Sequence, residues 1–143
     1  KKLFKATRDR AFRKVMEACG HHRTDGTWVT PQFVSAYTVL HRNGHAHSIE
    51  VWLDGKLAGG IYGVAIGGFF AGESMFHRES NASKVALFHL VHHLREAGFA
   101  LFDIQMLTPV TQAMGGILIP RLDYLDRLKT ATSLTSRFSG TGL

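Results

Sequence analysis

Ser48-Ile49-Glu50-Val51-Trp52-Leu53-Asp54-Gly55 is the stretch that decides the fold. Ser48, Glu50 and Trp52 alternate with Ile49, Val51 and Leu53, the two-residue period of a strand. Asp54-Gly55 is a strong hairpin signal, because a tight turn between strands needs positive φ at its centre. Leu57–Ile66 reads as the return strand, Gly67-Gly68 as a second turn and Phe69–Ser74 as a third strand, which makes an antiparallel meander. Downstream, Ser80 or Asn81 caps a helix that runs to about Ala97 and is closed by Gly98. Its residues Val85, Leu87, Phe88, Val91 and Leu94 form the wide apolar face of a helix lying on a sheet. Phe99–Met106 reads as a fourth strand. A short helix follows Pro109, and a last one runs from Pro120 to about Thr130.

Upstream, Thr30-Pro31 is an N-cap followed by proline at the first helical position. That helix runs to Asn43, with Gly44 as its stop. Phe12, Val15, Met16 and Cys19 recur at helical spacing, so the pattern predicts an amphipathic helix over roughly residues 5–19, stopped by Gly20. Strands, a helix and a further strand give an α+β fold: a mostly antiparallel sheet flanked by helices, of the acetyltransferase-like (GNAT-like) type. The expected organisation is a basic helix and loop over 1–26, the folded domain over 27–130, and a Ser/Thr/Gly-rich flexible tail over 131–143.

Composition narrows the functional classes. The chain has 143 residues, 45% of them apolar and 20% charged, which is globular and sufficient for a core without disulfides. Its single cysteine, Cys19, cannot form an intrachain bridge and fits a reducing compartment. The glycine-rich uncharged run Leu57–Gly72 has 16 residues including six glycines, and Ile104–Pro120, the longest uncharged run, has 17. A membrane helix needs about 20 apolar residues, so no membrane span is expected. The first residues, Lys1 to Lys5, carry no apolar stretch of the signal-peptide kind. The net charge is +6, and all of it lies in residues 1–14, which hold seven basic residues and one acid. This block points to a polyanion, with RNA foremost, or else to a solvated helix face.

Phe102-Asp103-Ile104-Gln105 is the sharpest local feature. On a strand, Asp103 and Gln105 share one face. Glu73 in Gly72-Glu73-Ser74-Met75-Phe76 is a second acid among apolar residues, placed to read a cation or a proton. From the pattern alone, Asp103 is equally a strand-end cap and Glu73 a solvated hairpin acid. His45 and His47, or His89, His92 and His93, lack the partners of a zinc set, so no metal is expected. The glycines between Gly59 and Gly72 lack phosphate-loop spacing. The lead-in to the main helix, His77 to Lys84, has no glycine to hold a coenzyme-A pyrophosphate, and no cofactor is expected.

Thr27-Trp28-Val29-Thr30-Pro31, Gly44 to Trp52, Gly60 to Ala65, Gly72 to Phe76, Asn81 to Lys84, Phe102 to Gln105 and Ile119-Pro120-Arg121 together resemble the leucyl/phenylalanyl-tRNA–protein transferases, from about Thr27 to Leu128. The resemblance implies an aminoacyltransferase of the bacterial cytoplasm. Its members move Leu or Phe from aminoacyl-tRNA to proteins with N-terminal Arg or Lys, which marks those proteins for degradation. It implies a catalytic pair, Asp103 and Gln105, with Glu73 beside it. It implies that Trp28 stacks on the terminal adenine and that Ile61, Phe70, Leu90, Leu94 and Phe102 receive the transferred side chain. Lys5, Arg8 and Arg13 of the basic segment are the candidate tRNA contacts, and a monomer is expected. The family has a further N-terminal domain that this sequence does not include, and it differs from the chain at Val110, Ala113-Met114 and Leu118. Two other readings stay open: an acyl-CoA N-acyltransferase, and a non-catalytic RNA- or peptide-binding relic.

Overall fold

The computed structural model describes residues 1–21 and 29–139. Five strands form one sheet in sequence order: β1 (Lys5–Arg8), β2 (Ala46–Leu53), β3 (Lys56–Ile66), β4 (Phe69–His77) and β5 (Leu101–Asp103). The first four are antiparallel neighbours, and β5 runs parallel to β4. A parallel pair needs a long crossover, and α3 (Ala82–Glu96) supplies it. The remaining helices are α1 (Phe12–His21), α2 (Pro31–Arg42), α4 (Pro109–Ala113) and α5 (Arg121–Thr132). The architecture is α+β, as the sequence pattern predicts.

Alternation along the strands divides the core in two. Ile49, Val51, Ile61 and Phe70 face α3 and pack on Ala82, Ala86, Leu87, Leu90 and Leu94. Ala46, Tyr62 and Phe76 face α1 and α2 and pack on Phe12, Val15, Met16 and Val34. The local signals behave as their chemistry dictates. Asp54 and Gly55 take φ of 51° and 77° in the first hairpin turn. Thr30 accepts a hydrogen bond from the Phe33 amide at 3.2 Å to cap α2. Gly59 lies under the start of α3, where a Cβ would come within 2.7 Å of the Ala82 side chain.

Three elements differ from expectation. The predicted helix over 5–19 begins only at Phe12, and Lys5–Arg8 is an edge strand whose register pairs Lys5 with Trp52 and Arg8 with Ile49. Residues 5–21 thus belong to the layers of the domain rather than to a leader before it. The cause is Glu50, fully buried on β2. Its carboxylate accepts from Thr7 Oγ1 (2.6 Å), Ser48 Oγ (2.5 Å) and the amides of Arg10 (3.3 Å) and Ala11 (3.1 Å). A buried charge requires such donors, and they draw the N-terminal segment onto the sheet. Asp9, at φ 54°, turns the chain into α1 and accepts from the Ser48 amide at 2.9 Å.

The tail is the second difference. Ala131 and Phe138 are buried, and the Phe138 ring stacks on His47 with centroids 4.1 Å apart and on Phe70 at 5.6 Å. Residues 131–138 fold around the Gly67-Gly68 turn, where the Gly68 amide donates to Ala131 O at 2.8 Å, and close the α3 side of the core. The third difference is the fourth strand. Only Leu101–Asp103 pairs with β4, and Ala71 with Asp103 is the last pair of that ladder.

Candidate active site

The site begins where β5 stops. In β3 and β4, Tyr62 pairs with Ser74 and Gly63 with Gly72, so Glu73 is the extra residue of a β-bulge. A bulge bends its strand and re-aims the side chains at the break. Gly63 sits opposite, where a Cβ would lie 2.2 Å from the Ala71 carbonyl oxygen, so no side chain fits there. β5 ends beside this bend, and Gln105 takes the left-handed conformation at φ 66°. Asp103 and Gln105 are therefore brought together by a turn, not by the shared strand face that alternation predicts.

That turn fixes both side chains. Asp103 Oδ1 accepts from the Gln105 backbone amide at 2.7 Å, and Oδ2 accepts from the Tyr124 hydroxyl at 2.6 Å. Gln105 Nε2 donates to the Gly72 carbonyl at 2.9 Å, which leaves the amide oxygen as an acceptor. Asp103 thus orients the backbone of Gln105, while the bulged strand orients its side chain. The Glu73 carboxyl sits above the usual carboxylate range. Burial is the main cause, a hydrogen bond from Gln105 opposes it, and the Asp103 charge adds to it. Tyr37 of α2 is raised by burial and then by Glu73. Tyr124 is pushed up to about 12, first by its hydrogen bond to Asp103, then by burial and by the Asp103 charge.

A cavity of about 660 Å³ opens from this point between α3, β5 and α5. That volume is of the size that takes a small ligand group. Leu87, Val91, Leu94, Phe99, Phe102 and Met114 give it an apolar wall, and Asp103, Gln105 and Tyr124 stand within it beside Arg95, Arg121 and Arg127. Of the five apolar candidates from the sequence, Leu94 and Phe102 line the cavity. Ile61, Phe70 and Leu90 lie behind them in the same core cluster, at 5%, 1% and 1% exposure. Trp28 lies outside the described residues.

The basic residues of the N-terminal segment are not gathered at this site. β1 and β5 are opposite edges of the sheet, four strand spacings or roughly 19 Å apart. Arg8 contacts the His93 ring at 2.8 Å on the α3 side, Arg13 pairs with Glu17 at 2.9 Å on α1, and Lys5 is exposed. Among the described residues, the set with metal-ligand proximity is Asp9, His41 and His47. Its atoms are already committed: His47 Nδ1 to Asp9 at 2.8 Å, His47 Nε2 to Gly44 O at 2.9 Å, and His41 Nδ1 to Ala46 O at 2.8 Å. The set ties the β1–α1 turn to the α2–β2 turn.

Residues 1–129 match the model of the family described as leucyl/phenylalanyl-tRNA protein transferase. The chain belongs to this family. A member from Rhizorhabdus wittichii is 49% identical over 142 residues, which is 97% of this chain and 57% of that protein. One from Salinibacter ruber is 48% identical over 92% of this chain and 58% of its own length. The chain thus spans a little over half the length of the curated transferases it matches. Solved structures share the fold. The ribosomal-protein-S18-alanine N-acetyltransferase from Escherichia coli superposes with a TM-score of 0.61 at 10% identity, covering 79% of this chain and 77% of that one. A GNAT family acetyltransferase from Brucella melitensis, in complex with acetyl-CoA, gives 0.60 at 15% identity, covering 84% and 93%. The chain is thus built on the acetyltransferase fold.

Tyr124 was not among the residues singled out from the sequence, and Arg121 and Met114 were named there without a place in the site. The Tyr124 contact spans 21 residues and depends on where α5 docks, which no local pattern encodes.

Proposed function

We propose that this chain carries the transfer site of an aminoacyltransferase that moves Leu or Phe from aminoacyl-tRNA to the N-terminal Arg or Lys of acceptor proteins. It acts in the cytoplasm, as a monomer and without a cofactor. Family membership supports the reaction class. The observation that carries the residue roles is the turn at 103–105, which fixes a carboxylate and an amide oxygen at the mouth of an apolar cavity.

The chemistry follows from what each group can do. An aminoacyl ester is already activated, so the protein mainly positions an amine against it. The acceptor's α-amine titrates near 7.7–8.0, so a useful fraction is neutral at physiological pH. The Gln105 amide oxygen accepts a hydrogen bond from that amine and aims its lone pair at the ester carbon. The new C–N bond forms as the bond to the ribose oxygen breaks, and the Asp103 charge stabilises the positive nitrogen in between. The apolar wall at Leu87, Leu94 and Phe102 holds the side chain being transferred. Both oxygens of Asp103 already accept hydrogen bonds. Glu73 on the bulge is the better partner for the acceptor's cationic side chain. Trp28 is the proposed platform for the terminal adenine, and Lys5, Arg8 and Arg13 are the proposed tRNA contacts.

A coenzyme-A reading is disfavoured by one observation. At the start of α3, the amides of Arg78 and Glu79 donate to Ala58 O at 2.7 and 3.2 Å, and the Ala82 amide donates to Glu79 O at 3.1 Å. Those donors are spent within the chain rather than available to a pyrophosphate. The experiment offers the protein Phe-, Leu- and Ser-charged tRNA, or acetyl-CoA, with a peptide that begins with Arg. Transfer of Phe and Leu is expected. Efficient transfer of Ser contradicts the apolar cavity, since each polar atom left unpaired there costs about 1–3 kcal/mol. Acylation from acetyl-CoA alone contradicts the reaction class, and no transfer from any donor favours the binding relic.

A further inference from the structure

The transfer step leaves one proton unaccounted for. The amine loses a proton as it becomes an amide, and the departing ribose oxygen gains one. Gln105 cannot take it, because an amide is not a base at this pH. We propose that the Tyr124 hydroxyl is the proton relay between the acceptor's α-amine and Asp103; this rests on the transfer reading above.

The geometry is specific. α5 crosses the mouth of the cavity and places Tyr124 in the same lining as Asp103 and Gln105. The hydroxyl donates a hydrogen bond to Asp103 Oδ2 at 2.6 Å, a short charge-assisted bond. A phenol has one proton and two acceptor lone pairs, so its oxygen remains an acceptor on the cavity side. The other Asp103 oxygen is held by the Gln105 amide. An amine aimed by Gln105 therefore meets a hydrogen-bond acceptor, Tyr124 Oη, that is already coupled to a carboxylate.

The step balances. As the nitrogen bonds to the ester carbon, its N–H proton passes to Tyr124 Oη, and the Tyr124 proton passes to Asp103 Oδ2. The ribose oxygen departs with the electron pair of the broken C–O bond. Asp103 then returns a proton to Tyr124 as Tyr124 Oη passes one to that oxygen, which regenerates the phenol and the carboxylate. The phenol stays protonated at neutral pH because Asp103 holds it well above its ordinary range. The proton is therefore handed through, without a free phenolate.

The test uses Tyr124→Phe, which keeps the ring and removes the hydroxyl. Single-turnover transfer from Phe-tRNA to an Arg-starting peptide should slow by about 10²-fold, the usual worth of positioned acid–base catalysis, with the KM for the peptide unchanged. In mixtures of H2O and D2O, the parent rate should fall along a curve set by two moving protons, and the variant rate along a straight line. A variant as fast as the parent overturns the relay. A slower variant that keeps the parent's curved isotope dependence also overturns it, and reduces Tyr124 to a positioning residue for Asp103. No transfer by the parent overturns the transfer reading and the relay together.

Discussion

Glu50 and Asp103 are both carboxylates on strands of one sheet, and they do opposite work. Glu50 lies on β2 with no exposed surface and accepts four hydrogen bonds, from β1, from the turn into α1 and from its own strand. Asp103 ends β5 at a cavity, half-buried, and accepts from one backbone amide and one phenol. A carboxylate saturated by the protein's own donors is a clamp, since its charge is already answered. One that stands in a cavity with an acidic neighbour and an unpartnered amide oxygen beside it has charge left for a substrate. The contrast extends to the two sheet edges: β1 is tied to β2 and to the turn into α1 by side-chain hydrogen bonds, and the β5 edge is opened by a bulge and a left-handed turn.

Glu50 is the position where a substitution should do most damage. Glu50→Ala leaves two hydroxyls and two amides without their acceptor, at about 1–3 kcal/mol each. The total exceeds about 4 kcal/mol, against a stability of about 5–15 kcal/mol for an ordinary domain. Urea denaturation should show a large fall in the midpoint or no cooperative transition. A midpoint equal to the parent's would mean that the clamp is ornamental. Phe138→Ala should cost about 3–5 kcal/mol by the same measurement, the usual range for a buried aromatic. An unchanged midpoint there would restore the flexible tail. Asp103→Asn should leave the melting curve in place and slow transfer by about 10²-fold, as for other charges that organise a transition state. Loss of stability without loss of rate would make Asp103 a second clamp.

The smallest effect concerns Glu73. Its carboxyl is held above the ordinary range, chiefly by burial, so it protonates at a higher pH than an exposed glutamate. Binding of a cationic acceptor needs the ionised form. The KM for an Arg-starting peptide should therefore rise as pH falls through that raised pKa. Glu73→Gln should raise KM about 10-fold at neutral pH, the scale of a charge-assisted hydrogen bond, and abolish the acid-side dependence. A variant that keeps the parent's pH profile would move the cation site elsewhere.

Much of the scaffold was legible because its signals are local. Asp54-Gly55, Thr30-Pro31 and the alternation along 48–53 each impose geometry within a few residues, and each forms as expected. What was illegible depends on distant partners. The spacing of Phe12, Val15, Met16 and Cys19 is truly helical, but nothing local marks where that helix starts. Glu50, some 40 residues on, decides it. Phe138 reads as tail because its partners His47, Phe70 and His93 come from three other elements. At the candidate site, Asp103, Gln105 and Glu73 stand out in the sequence, but the devices that bring them together do not. Strict two-residue alternation has no place for a bulge at Glu73 or a positive φ at Gln105. Tyr124 enters only when α5 is docked.

One measurement tests directly whether the open carboxylate edge transfers an aminoacyl group. Radiolabelled Phe-tRNA is mixed with the protein and either of two peptides that differ only in an N-terminal Arg or Asp, and the products are sequenced. Label is expected on the α-amine of the Arg peptide and not on the Asp peptide, with a rate that collapses with Asp103→Asn while the fold survives. Label on both peptides alike, or on neither, would contradict that expectation.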